Sequence, residues 1–178
     1  MRYIATSILF FTSLLSAQVF NTAHILSKET IKIGVAPVVS NNSVSYYAQV
    51  DYGLARNTAV GCVAGLLPSG MYFGITSKFV IAYTPDLSMT VGSHVQGSIV
   101  GIDGTLNLSI PITRKFSIYL GGDADLDVIS STTTRKPAWG FLGVRNKFGE
   151  TIEILFEINP AVTADAQNMY GGCLKLYF

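Results

Sequence analysis

From Phe116 to Val128 every second residue is apolar or small: Phe116, Ile118, Leu120, Gly122, Ala124, Leu126 and Val128. Ser117, Tyr119, Gly121, Asp123, Asp125 and Asp127 fill the positions between them. Side chains of a β-strand alternate between its two faces, so this segment predicts a strand with one greasy face and one charged face. Two environments satisfy such a strand. Either the greasy face covers a protein core and the acids meet water, or it meets lipid and the acids line a barrel lumen.

Composition separates these two. Charged residues are 13% of the 178 residues, against about 25% in ordinary soluble domains, and mean hydropathy is +0.41. A spanning helix needs about 20 mostly apolar residues. Beyond the N-terminal segment the longest apolar run, Ala59 to Leu67, is far shorter and contains Gly61 and Gly65. High hydropathy without helical spans is what strand alternation in a transmembrane β-barrel produces. A secreted lipocalin-like barrel would keep its acids in water, but it would not explain the scarcity of charge elsewhere.

Residues 1–17 read as a secretory signal peptide: Arg2, an apolar stretch from Ile4 to Leu15, then Ser16-Ala17. Residues 18–29 show no periodicity and read as a loose periplasmic lead-in, and 30–178 as the barrel. Without Arg2 the acidic and basic residues are equal in number. No basic run exists to hold phosphates, so nucleic acid is excluded as a partner. Cys62 and Cys173 fall on strand phases that point apart, which disfavours a disulfide, and the two thiols make no zinc site.

The alternation recurs in ten segments separated by turn signals and no helical pattern. It covers 31–39, 44–54, 58–67, 71–83, 87–99, 106–112, 116–128, 138–146, 152–158 and 168–178. Asp103-Gly104 is read as the hairpin between the fifth and sixth. The fold class is therefore all-β, a closed antiparallel up-and-down transmembrane barrel of ten strands. Eight remain if two candidates merge or if 58–67 lies across an end. The phases of 58–67 and of 138–146 stay open, because Trp139 and Phe141 contend with Leu142 and Val144. With ten strands, both termini are periplasmic and both longer loops, 130–137 and 160–167, lie outside.

Counting back from Phe178, alternate positions hold Leu176, Leu174, Gly172 and Tyr170. A terminal aromatic behind alternating apolar residues resembles the closing strand of bacterial outer-membrane β-barrel proteins. Gly172 departs from the pattern. The size and short turns look like the small barrels related to OmpA, OmpX and OmpW, with no motif that selects a subfamily. The resemblance implies a bacterial outer-membrane location, outer-membrane lipid as surroundings, and recognition of Tyr170, Leu174, Leu176 and Phe178 by the barrel assembly machinery. A monomer is expected.

The predicted inward face carries Lys32, Asp51, Lys78, His94, Asp123, Asp125, Asp127, Glu153, Glu157 and Lys175, with Arg145 depending on phase. Buried charges must be paired or solvated, and a narrow barrel is filled by its own side chains. The expected role is therefore a structural or surface-interaction barrel with a charged network inside. A narrow path for small solutes is the alternative, and an outer-membrane enzyme using His94 is a distant one. The three aspartates are expected to find partners among Lys32, Lys78 and Lys175. Asp123-Ala-Asp125-Leu-Asp127 imitates the start of a calcium loop but has Val128 where glycine belongs and Thr134 where glutamate belongs. No cofactor or metal is expected. The polar loops 130–137 and 160–167 offer a surface to an extracellular ligand.

Overall fold

A computed structural model describes residues 20, 22–24, 26–40, 43–83 and 85–178. The signal-peptide assignment at 1–17 lies outside the described residues. Eleven strands form: β1 (Ile31–Ser40), β2 (Ser43–Ala55), β3 (Thr58–Leu67), β4 (Gly70–Tyr83), β5 (Asp86–Gln96), β6 (Ile99–Pro111), β7 (Phe116–Ser130), β8 (Thr133–Arg135), β9 (Ala138–Phe148), β10 (Ile152–Asn159) and β11 (Met169–Tyr177). Each long strand pairs antiparallel with its neighbour, and β1 pairs with β11, so the sheet closes on itself. Ten strands make the wall. The short β8 folds back on the outer end of β7, and β9 takes the next wall position beside β7.

Closure removes the free edges that a spanning sheet cannot leave in lipid. Alternation then sorts the residues. Along β7 the burial pattern places Ser117, Tyr119, Asp123, Asp125 and Asp127 inside and Leu120, Leu126 and Val128 outside. The same sorting in every long strand leaves a belt of exposed Ile, Val, Leu, Phe and Met around the barrel. Tyr46 and Tyr170 lie toward the outer rim of this belt, and Tyr52, Tyr83, Phe148 and Phe178 toward the periplasmic rim, all on the lipid side. They are placed as aromatic girdles are.

The two open phases are settled. In β3, Ala59, Gly65 and Leu67 are buried while Cys62 and Ala64 face out, and β3 pairs along its length with β2 and β4 as a wall strand. In β9, Trp139 and Phe141 are inside and Leu142 and Val144 outside. Cys62 is exposed and Cys173 buried, both free.

The hairpin expected at Asp103-Gly104 is elsewhere. The chain turns at Gly97-Ser98, where Gly97 adopts φ +60°, a conformation glycine takes at no steric cost. Asp103 and Gly104 are interior residues of β6, paired with Asp125 and Ala124. A hairpin at Asp103 would have cut β6 short and left its inward Asp103 outside the lumen.

Glycines on the inner face make room for large neighbours. A Cβ at Gly143 would overlap the Tyr119 ring, which is fully buried. Gly143→Ala is therefore expected to destabilise the barrel by about 1–3 kcal/mol, the usual cost of overpacking. Urea midpoints read from the mobility shift of folded barrel on unheated gels would check it.

Candidate functional site

The site is the lumen, and all ten charged or ionisable residues assigned to it from sequence are buried. They separate into two groups on different parts of the wall. The first lies on β5 to β8. His94 Nδ1 meets Asp103, and its Nε2 is 3.1 Å from Asp127 Oδ1. The other Asp127 oxygen accepts from Arg135 Nη2 at 3.1 Å. A ring between two acceptor-only carboxylates donates at both nitrogens, as the imidazolium does. Tyr72 stacks on the ring, with centroids 5.3 Å apart, and Gly101 leaves the space that the ring occupies. Thr105 donates to Asp123 from the neighbouring strand.

The second group lies on β9, β10, β11, β1, β2 and β4. Lys32 Nζ is 2.8 Å from Asp51 Oδ2, and Gln49 donates to the same carboxylate. Arg145 lies 3.7 Å from Glu153, which also accepts from Tyr177. Lys78 and Lys175 reach neither group's carboxylates: Lys78 Nζ donates to Thr22 O at 2.7 Å and Lys175 Nζ to Phe20 O at 2.6 Å.

These contacts differ from the expectation that Lys32, Lys78 and Lys175 would serve the three aspartates. The lysines and β7 belong to different parts of the circumference. Asp123 is instead met by Thr105 on β6, and Asp127 by His94 on β5 and Arg135 on β8. Sequence reasoning missed Asp103 and Arg135. The Gly97-Ser98 turn signal would have brought Asp103 inside. Arg135 had no local signal, because its placement depends on β8 folding back over the barrel mouth.

The partners of Lys78 and Lys175 show a further difference. Residues 18–29 are read from sequence as a loose lead-in, yet the described residues of that segment run up the lumen. Phe20, Thr22, Ala23 and Leu26 are buried. Phe20 N donates to Glu157 at 3.1 Å and Ala23 N to Ser109 Oγ at 3.1 Å. The segment is rooted at the periplasmic rim, where Glu29 N bonds Gly53 O and Gly53 N bonds Thr30 O. Glu29 has φ +66° and turns the chain into β1.

The lumen also holds apolar side chains. Phe20 joins Val38, Tyr47, Leu67, Tyr72, Tyr119, Trp139, Phe141, Leu155 and Met169 in one buried cluster. Residues 160–168 lie against the start of β9, with Trp139 Nε1 donating to Gln167 O, Thr163 Oγ1 to Lys136 O and Lys136 N to Asp165. The loop 130–137 contains β8 and is tied to the second loop by these bonds.

Among the described residues no nucleophile, base and orienting acid come together around His94. Its nitrogens are committed to carboxylates, Ser109 holds Ala23, and Ser98 sits in the β5–β6 turn. His94, Asp103 and Asp125 bring one donor atom each within 4.8 Å of one another, but the His94 and Asp103 atoms already engage each other. Asp123, Asp125 and Asp127 stand at successive inward positions of one strand, roughly 7 Å apart, a spacing that does not wrap one calcium ion. Tyr170, Leu174, Leu176 and Phe178 all lie on the outward face of the closing strand.

A closed antiparallel wall, an apolar outer belt and a charged interior together define a small integral β-barrel of the bacterial outer-membrane class. No family model and no curated protein matches the chain. Solved structures do. The KdgM porin in complex with disordered oligogalacturonate is similar over 83% of this chain and 99% of its own, with TM-score 0.57 and 10% identity. An outer-membrane channel from Pseudomonas putida F1 is similar over 92% of this chain and 100% of its own, with TM-score 0.52 and 8% identity. Identities this low speak for the fold alone.

Proposed function

We propose that this chain is an outer-membrane barrel held closed at rest, with a structural or surface-presenting role. One observation carries the reading: the lumen is occupied by buried side chains from Leu26 near the periplasmic rim to Trp139 and Met169 at the outer end. Ion pairs and an aromatic cluster fill the space that a pore would leave to water. In this reading lipid surrounds the belt, the assembly machinery reads β11, and the interlocked loops 130–137 and 160–167 face an extracellular ligand.

A narrow solute channel is the second reading. The likeness to a porin and a channel supports it, as do charged groups on opposite parts of the wall. The oligogalacturonate belongs to the KdgM porin, and the shared fold does not transfer that ligand. Planar-bilayer recording from pure, folded protein separates the two. The closed barrel is expected to give no sustained conductance. Steady single-channel steps from the full mature chain would replace it with the channel reading.

A further inference from the structure

We propose that the segment from Phe20 to Glu29 is a displaceable plug, seated in a main-chain-binding site that Lys78, Lys175, Glu157 and Ser109 build on the lumen wall. The proposal rests on the closed-barrel reading and adds to it what does the closing. With the segment gone, the same site takes an extended peptide carrying an aromatic residue at the Phe20 position.

The contacts have the form of a ligand in a site. Among the described residues, the segment joins the wall's backbone ladder only at its root, through Gly53. Further in, its main chain is read by side chains: the Phe20 and Thr22 carbonyls accept from Lys175 and Lys78, and the Phe20 and Ala23 amides donate to Glu157 and Ser109. Donors and acceptors from four different strands thus converge on both polarities of a peptide backbone. Side-chain selectivity comes from Phe20, whose ring lies over Gly171 where a Cβ would intrude at 2.6 Å.

The same contacts make the seat reversible. Among the described residues neither Lys78 nor Lys175 has a carboxylate within 4 Å. A buried ammonium with a neutral carbonyl as partner is poorly compensated. When the segment leaves, water that enters the lumen solvates both cations, which offsets the lost hydrogen bonds. Water already has a foothold. A cavity of about 40 Å³ lies between the segment and the β1–β4 wall, bordered by Phe20, Leu26, Lys32, Lys78 and Cys173. That is room for a few waters.

The test uses the mature chain and a variant lacking residues 18–28, both refolded and checked by heat-modifiable mobility. A fluorescent synthetic peptide of residues 18–29 is expected to bind the shortened barrel and not the full chain. Lys78→Met and Lys175→Met in the shortened barrel are each expected to weaken binding by about tenfold, the factor for one charge-assisted hydrogen bond. The shortened barrel is expected to conduct, and peptide added from the periplasmic side to block it. A folded shortened barrel that neither binds peptide nor conducts overturns the plug and leaves the closed-barrel reading standing. Steady current from the full chain overturns the closed-barrel reading and the plug with it. Should the shortened chain not fold, hydrogen exchange on the intact protein decides. Amides of Phe20 to Leu26 are expected to exchange well before those of β1 to β11, and equal protection overturns the proposal.

Discussion

Asp127→Ala is expected to be among the most damaging single substitutions in this barrel, costing about 3–5 kcal/mol of stability. Asp127 is fully buried and meets two cations, the His94 ring on one oxygen and Arg135 on the other. Removing the carboxylate takes the Asp127 ion pair from Arg135 and leaves His94 with Asp103 in place of two carboxylates, in a lumen that gives little water. The damage is that of an uncompensated charge, so it has a diagnostic. His94 keeps Asp103 as a partner, so His94→Leu and Asp127→Ala together should cost less than the sum of the two single substitutions. The coupling should fall in the range of about 0.5–3 kcal/mol found for residues in one network. Urea titration of barrel in lipid vesicles, read by unheated gel mobility, measures all three variants. Strict additivity would show that His94 and Asp127 do not act as a pair.

The second large effect belongs to the opposite face. Leu106 sits near the middle of β6 with half its surface open, while its neighbour Asn107 is buried in the lumen. Leu106→Arg places a cation at mid-belt and is expected to cost about 2–4 kcal/mol, the penalty for a basic residue facing lipid at the bilayer midplane. Leu106→Ala, which keeps the site apolar, should cost much less. Were the outer face solvated, the arginine would be tolerated, and equal stability of the two variants would contradict the membrane assignment. The same urea titration applies, with insertion into vesicles as a second readout.

Legibility follows the range over which each interaction acts. Strand alternation has a period of two residues, so every long wall strand and nearly every inward charge could be read from local pattern. The exceptions are instructive. Glycine-rich 58–67 has too little side-chain contrast to declare a phase, and in 138–146 aromatic and aliphatic residues compete for both faces. Trp139 and Phe141 turn inward because the buried cluster and the Gln167 carbonyl receive them. Asp103-Gly104 carries a strong turn signal that lost to Gly97-Ser98, since only the earlier turn lets β6 pair in register with both β5 and β7. Residues 18–29 have no period at all. The described ones, Phe20 and Thr22 among them, are held in the lumen by Lys78, Lys175 and Glu157, which are distant in sequence and meet the segment only after the barrel has closed.

Phe116 to Val128 shows where the division falls. Its alternation, the low charge content and the aromatic end at Phe178 specified a strand with a lipid side and a lumen side, because hydrophobic sorting needs only the order of residues along one strand. The partners of Asp123, Asp125 and Asp127 were not in that order. They were assigned by closure, which set β7 between β6 and β9 and folded β8 over its outer end. Thr105 then meets Asp123 and Arg135 meets Asp127, with His94 reaching Asp127 across β6, while Lys32 was left to Asp51 and Lys78 and Lys175 to the N-terminal segment. Pairing across a barrel depends on circumference and register, and a single strand carries neither.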